Sequence, residues 1–259
     1  MTKQEHETTH AMMLACANVK GLLQKNEYYT HDDLITAIGM ACDFIYQKKD
    51  FKLLKIGNHK LHNNTMIFDL PSIMTCACRC NHCYALKSER IYKNTRLMRL
   101  QHLLIIDACR HSETIKNQVI NQLYNEIITY SNKSMGMVYV RLHSSGDFYC
   151  NEYLQMILDL IKRCETIKNV RFYTYTKQLD NKKIDDINKK YYNFNIVKSF
   201  ITGNDNKKYI NYGNIEYLKQ LKKVCNDLFI CSYGTDKQAT CMGNCTKCAC
   251  HAHVAFIQH

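Results

Sequence analysis

The sequence predicts an α/β fold built on a parallel sheet. Two observations predict it. Short β-prone runs alternate with helix-periodic stretches from about residue 64 onward, a pattern that calls for right-handed crossovers between neighbouring strands. Five strands, or six, are legible, too few for a complete eight-stranded barrel, so a partial (β/α) barrel or a doubly wound sheet fits. In either, the site lies at the C-terminal ends of the strands, and the least ordinary loops of the chain fall there.

Before the sheet, residues 1–55 read as a helical N-terminal extension. "HAMMLACANVKGLLQK" places Met12, Cys16, Val19 and Leu23 at helical spacing. In "THDDLITAIGMACDFIYQKK", Thr30 or His31 precedes Asp32 and Asp33, which suit a helix start. Leu34, Ile38, Ala41 and Ile45 then share a face.

Residues 56–235 read as the barrel-like domain. "TMIFDL" is a short strand ending at Pro71, just before a cysteine-rich loop. "RLMRLQHLLIIDAC" and "SETIKNQVINQLYNEIITY" are helices, the second with Ser112 as its N-cap and Val119, Leu123 and Ile127 on one face. "GMVYVRLH" is a strand in which Val138, Val140 and Leu142 alternate with Tyr139, Arg141 and His143. "SSGDFYC" turns into the helix "NEYLQMILDLIKRC". The strand "NVRFYTYTK", the helix "DNKKIDDINKKY" and the strand "NFNIVKSFIT" follow. A helix around "GNIEYLKQLKKVC" and the strand "DLFICSYG" complete the array. Residues 236–259 form a Cys-rich C-terminal segment.

Composition narrows the function classes. Hydrophobic residues make up 46% of the 259, enough for a sizeable core. The polar start "MTKQEHETTH" and the lack of a long apolar run predict a soluble cytoplasmic protein without membrane contact. Fifteen cysteines, eight of them in two dense clusters, point to metal rather than to a disulfide framework. The net charge of +12 makes nucleic acid a candidate partner. The lysines are nevertheless dispersed, and their abundance alongside Asn, Ile and Tyr also fits an AT-biased coding sequence.

The first cluster, "TCACRCNHCYA", contains Cys76, Cys80 and Cys83 in a C-x-x-x-C-x-x-C pattern, with Cys78 between them. Three thiolates can hold three corners of a [4Fe–4S] cluster and leave the fourth iron open. A closed zinc site needs four ligands, and Cys78 or His82 supplies a candidate for the fourth. Spacing leaves both readings standing. The second cluster, "TCMGNCTKCACHAH", repeats the spacing at Cys241, Cys245 and Cys248 and adds Cys250. It suits a fully ligated auxiliary iron–sulfur cluster or a structural zinc.

The placement of the first cluster at the end of the first strand of a βα array resembles the radical SAM superfamily. A second resemblance rests on "FDLPSIMTC", "CNHCYA", "RLHSSGDF", "FYTYTK" and the C-terminal "TCMGNCTKC…VAFIQH". These strings are similar to motifs of the phage-borne gene-product-88-like proteins, over roughly residues 55–259.

The resemblance implies a radical SAM-like partial barrel. It implies an open [4Fe–4S] cluster on Cys76, Cys80 and Cys83, and S-adenosylmethionine cleaved reductively to start radical chemistry on a substrate the sequence does not name. It also implies an electron donor such as flavodoxin or ferredoxin. Ser145, Gly146 and Asp147 stand where that superfamily has its turn for the methionyl amino group. An aromatic residue frequent after the second cysteine is replaced by Asn81, and Tyr84 is the aromatic nearest in role. Arg141 and His143 on one strand, with Tyr173, Tyr175 and Lys177 on the next, are the candidates for substrate contacts and catalysis. The competing readings are a zinc module that binds nucleic acid through a basic surface, and an iron–sulfur protein of this fold without SAM chemistry.

Overall fold

A computed structural model describes residues 2–24, 28–47, 51–57, 61, 63–76, 83–201, 209–213, 223, 229–231 and 254–257. Eight helices of the α type and eight strands are present among them. The chain divides into two compact units. The first comprises Met1–Leu54, Phe68–Thr129 and His143–Cys164, and the second Lys55–Ile67, Tyr130–Leu142 and Glu165–His259.

The first unit is helical. Helix α1 (Lys3–Leu23) starts earlier than its apolar spacing suggests, because Thr2 and Glu5 form a capping box that recruits the polar N-terminal turn. Helix α2 (His31–Ile45) starts at Thr30, whose hydroxyl accepts from the Asp33 N–H while Asp33 accepts from the Thr30 N–H. The one-turn α3 (Ser72–Thr75) and α4 (Tyr84–Ile91) flank the cysteine loop.

Helix α5 (Lys93–Cys109) is the centre of this unit. Every residue from Arg99 to Cys109 is buried, and both α1 and α2 pack on it. A helix covered on all sides must satisfy its polar groups internally. Gln101 donates to the Met40 carbonyl at 3.1 Å, and Asp107 accepts from Asn18 at 2.9 Å and from Arg110 at 2.8 Å. Helix α6 (Glu113–Lys133) follows Ser112, whose hydroxyl accepts from the Ile115 N–H and donates to Glu7. Helix α7 (Asn151–Arg163) buries Tyr153, Leu154, Met156, Ile157, Leu160 and Ile161 as one stripe.

The second unit holds the sheet and helix α8 (Asn181–Lys190). Its strands are β1 (Lys55–Ile56), β2 (Thr65–Phe68), β3 (Val138–Leu142), β4 (Val170–Thr176), β5 (Phe194–Ile201), β6 (Tyr209–Gly213), β7 (Phe229–Cys231) and β8 (Val254–Ile257). The last residue of β2, Phe68, falls in the first unit.

The strand order is β1-β2-β3-β4-β5-β6-β8-β7. The short β1–β2 ribbon is antiparallel; β3 to β6, β8 and β7 pair in parallel. From β2 to β6 the spatial order follows the chain, without the reversal that creates the switch point of a doubly wound sheet. The register sets Val138 opposite Val170, Arg141 opposite Tyr173 and Leu142 opposite Thr174.

The mixed α/β class and the helix–strand alternation agree with the sequence. Strands β1, β6 and β8 do not emerge from it. Lys55–Ile56 is two residues long, and "YINYG" and "VAFI" sit beside loop-like stretches. Of the helix expected around "GNIEYLKQLKKVC", only Gly213, which ends β6, and Lys223 fall among the described residues.

Candidate metal-loop site

Two chain crossings build the candidate site within the first unit. Beyond Phe68 the backbone runs through Asp69, Leu70 and Pro71 into α3, which delivers Cys76; the Cys76 N–H donates to the Ser72 carbonyl at 3.1 Å. Cys83 then caps α4, and its carbonyl accepts from the Lys87 N–H at 3.3 Å. Cys76 and Cys83 are both half-buried. Cys78, Cys80, Asn81 and His82 lie outside the described residues, and of Tyr84 only the backbone, at the start of α4, is described. Beyond Leu142, His143 takes a positive φ of 60° and leads into Ser144, Ser145, Gly146 and Asp147.

This turn is docked on the base of the cysteine loop. The Leu70 N–H donates to the Ser145 carbonyl at 3.0 Å, and the His143 N–H to the Phe68 carbonyl at 2.9 Å. The Asp147 N–H donates to Thr75 Oγ1 at 3.3 Å, while that hydroxyl donates to the Pro71 carbonyl at 2.6 Å. Gly146 sits at φ +87°, and a Cβ placed there would lie 2.7 Å from both Leu70 Cβ and Thr75 Oγ1. The protein's own backbone therefore requires glycine at this position. Asp147 is 2% exposed and accepts from the Phe148 N–H at 2.7 Å.

A buried charge network lies beneath the turn. Arg99 reaches Glu89 Oε1 at 2.9 Å and Asp69 Oδ2 at 3.4 Å. Glu89 is 0% exposed and accepts from the Ser72 N–H and hydroxyl, both at 2.9 Å, and from the Ser145 hydroxyl at 3.2 Å. Asp69 accepts from the Ser144 hydroxyl at 2.6 Å and from the Ser145 N–H at 3.0 Å. Arg99 also donates to the Ala85 carbonyl at 3.2 Å and to Ser88 Oγ at 3.1 Å. Burial opposes the Arg99 charge, but Asp69 and Glu89 outweigh it and hold the guanidinium pKa above its usual range. Burial, then the neighbouring Glu89 carboxylate, pushes the Tyr29 hydroxyl well above its usual range.

Two histidines complete the surroundings. His102 stacks on Phe68, with ring centroids 4.7 Å apart, and its Nδ1 pairs with the Asp69 carbonyl at 2.9 Å. That pairing makes Nδ1 the donor, and burial lowers the ring pKa to about 4. His143 Nε2 pairs with the Tyr153 hydroxyl at 2.7 Å, and the ring meets Phe148 edge-on. Burial lowers its pKa to about 3, so both rings are neutral near pH 7.

The sequence-predicted residues thus separate. Cys76, Cys83, His143, Ser145, Gly146 and Asp147 belong to the first unit; Arg141, Tyr173, Tyr175 and Lys177 belong to the second. In the second unit, Tyr139 and Tyr173 form a buried pair flanked by Met137 and Tyr175, and the Arg141 guanidinium lies 5.6 Å from the Tyr175 ring centroid. Lys177 is half-exposed, just beyond the end of β4. Cys241, Cys245, Cys248 and Cys250 fall outside the described residues. Among the described residues, no three His, Cys, Asp or Glu side chains group around a common metal position, and no helix is long and apolar enough to cross a membrane.

Sequence reasoning missed Asp69, Glu89, Arg99 and His102. Asp69 had a visible signal, a carboxylate ending the apolar run "TMIF". Glu89 and Arg99 had none: Glu89 sits in α4, a helix the sequence reading did not name, and Arg99 stands among the apolar residues of α5.

These features define an α/β protein whose mostly parallel sheet runs in chain order from β2 to β6, and whose cysteine loop has flanks braced by a buried carboxylate–guanidinium network. Residues 46–224 match the Gene product 88 family, and the chain belongs to that family. Helices α1 and α2 precede the matched segment, whereas the charge network and the Ser145–Asp147 turn lie inside it. No curated protein and no solved structure matches the chain.

Proposed function

We propose that this protein is a radical SAM-type [4Fe–4S] enzyme on a partial (β/α) barrel. One observation carries the reading. A C-x-x-x-C-x-x-C loop leaves β2, and the turn after β3, the next strand in the sheet, is hydrogen-bonded to the base of that loop. Cys76, Cys80 and Cys83 are the proposed ligands. The described pair, Cys76 and Cys83, fits as half-buried thiols at the two ends of the loop. When bound, such a cluster supplies an electron for reductive cleavage of the SAM sulfonium, with the protein positioning the reactants. A small electron-transfer protein such as flavodoxin or ferredoxin is the proposed donor. The C-terminal Cys241, Cys245, Cys248 and Cys250 are proposed to hold an auxiliary cluster or a zinc ion.

Within this reading the Ser145–Asp147 turn acts first as support. The Ser145 hydroxyl and Asp147 Oδ1 bond inward, and Leu70 and Thr75 leave no room for a Cβ at Gly146. That inward bonding also favours a second reading, an iron–sulfur protein of this fold without SAM cleavage. Formation of 5′-deoxyadenosine by the reduced, reconstituted protein separates the two. Its absence, with an intact cluster, supports the second reading.

A further inference from the structure

Cys76 and Cys83 border a loop whose flanks are joined directly. Glu89, on the C-terminal flank, takes both the N–H and the hydroxyl of Ser72, on the N-terminal flank. Ser72 holds the Cys76 amide through its carbonyl. On the other side, Arg99 holds the Ala85 carbonyl, two residues beyond Cys83, and pairs with Glu89. Asp69, also held by Arg99, fastens the turn through Ser144 and Ser145. Helix α2 braces the assembly from outside, since Arg96 pairs with Asp33 at 2.9 Å and donates to the Glu89 carbonyl at 2.9 Å.

We infer that Asp69, Glu89 and Arg99 are positioning residues: they staple the two flanks of the cysteine loop to each other and to the 145–147 turn, whether or not a metal is present. The inference rests on the reading above only in taking the loop as a metal site. A loop tethered at both ends has less conformational freedom to lose when its thiolates converge, so the staple preorganises the ligands. The buried carboxylates bond the backbone and hydroxyls of the flanks, the supporting role that outer groups play around metal ligands.

Glu89→Gln keeps the shape of the side chain and removes its charge. In metal-free protein, hydrogen exchange at Cys76, at Asp147 and in the first turn of α4 should accelerate together, with the far-UV circular dichroism retained. In reconstituted protein, metal retention against a chelator should fall about tenfold or more, with an altered absorption or EPR spectrum. Ser72→Ala, which removes only the hydroxyl bond to Glu89, should show the same pattern more weakly, and it carries the test if Glu89→Gln does not fold. Exchange at the three segments unchanged from wild type would overturn the inference. So would an exchange increase spread evenly over the protein, or wild-type metal retention with a wild-type spectrum. If the wild-type protein takes up no metal, the proposed function fails, and the exchange measurement still decides the staple.

Discussion

At Gly146 the requirement for one residue type is local and measurable. A methyl group there meets Leu70 Cβ and Thr75 Oγ1 at 2.7 Å, in a backbone conformation at φ +87° that L side chains avoid. Gly146→Ala should destabilise the protein by about 1–2 kcal/mol for the left-handed backbone and by a further 1–3 kcal/mol or so for overpacking. Chemical denaturation checks this, and a loss below roughly 0.5 kcal/mol would contradict the packing argument. The histidines make a second prediction at this scale. His102 and His143 are buried neutral, with pKa values lowered to about 4 and about 3 from 6.5. Well above pH 6.5, from about pH 7.5, both are neutral folded and unfolded, and they add no pH dependence. As pH falls below 6.5 the unfolded chain takes up protons that the folded protein refuses, so stability drops until the folded pKa values are reached. The slope should approach two protons, roughly 2.7 kcal/mol per pH unit between about pH 6 and 4, read from denaturation midpoints across that range. A flat profile would place the rings in a more hydrated setting. Sequence reading found Gly146 but not the reason for it, because Leu70 and Thr75 meet it only through the crossing of two strands' loops.

At the scale of elements, the N-terminal helices test how local signals hold the fold. Thr30 and Asp33 complete a capping box, and Asp33 also pairs with Arg96 on α5. Burial raises the Asp33 pKa, but the Arg96 pairing and the Thr30 bonds outweigh it and leave the carboxyl below its usual range. Thr30→Ala should cost about 1 kcal/mol, the ordinary value of a lost N-cap, seen as a lower denaturant midpoint with an unchanged slope. The α2 start was legible because the cap residues are adjacent in sequence. The burial of α5 was not. Its Arg99, Gln101, His102 and Asp107 look solvent-facing until Glu89 arrives from the preceding helix and Asp69, Met40 and Asn18 from more distant parts of the chain. The strands show the same division. β3 and β4 announce themselves by alternation, although Tyr139 and Tyr173 on the supposed polar face are buried against each other. β8 pairs with β6 and β7 through contacts that no local pattern encodes.

For the whole molecule, strand order is a feature that the sequence left open. From β2 to β6 the strands lie side by side in chain order, and β3 to β6 pair in parallel. This order puts the cysteine loop and the Ser145–Asp147 turn after neighbouring strands, the arrangement on which the proposed function depends. The role of Cys78 follows from the same account. Cys78→Ala should leave metal loading at the loop unchanged if three thiolates bind an open cluster, whereas Cys80→Ala should abolish it. Equal loss in both variants, by metal analysis, would point to a closed four-ligand site. The central claim is tested most directly by anaerobic reconstitution followed by EPR of the reduced protein with and without SAM. The account predicts about four irons and four sulfides per cluster and a signal that changes when SAM is added. A colourless protein holding only zinc, with no response to SAM, would contradict it.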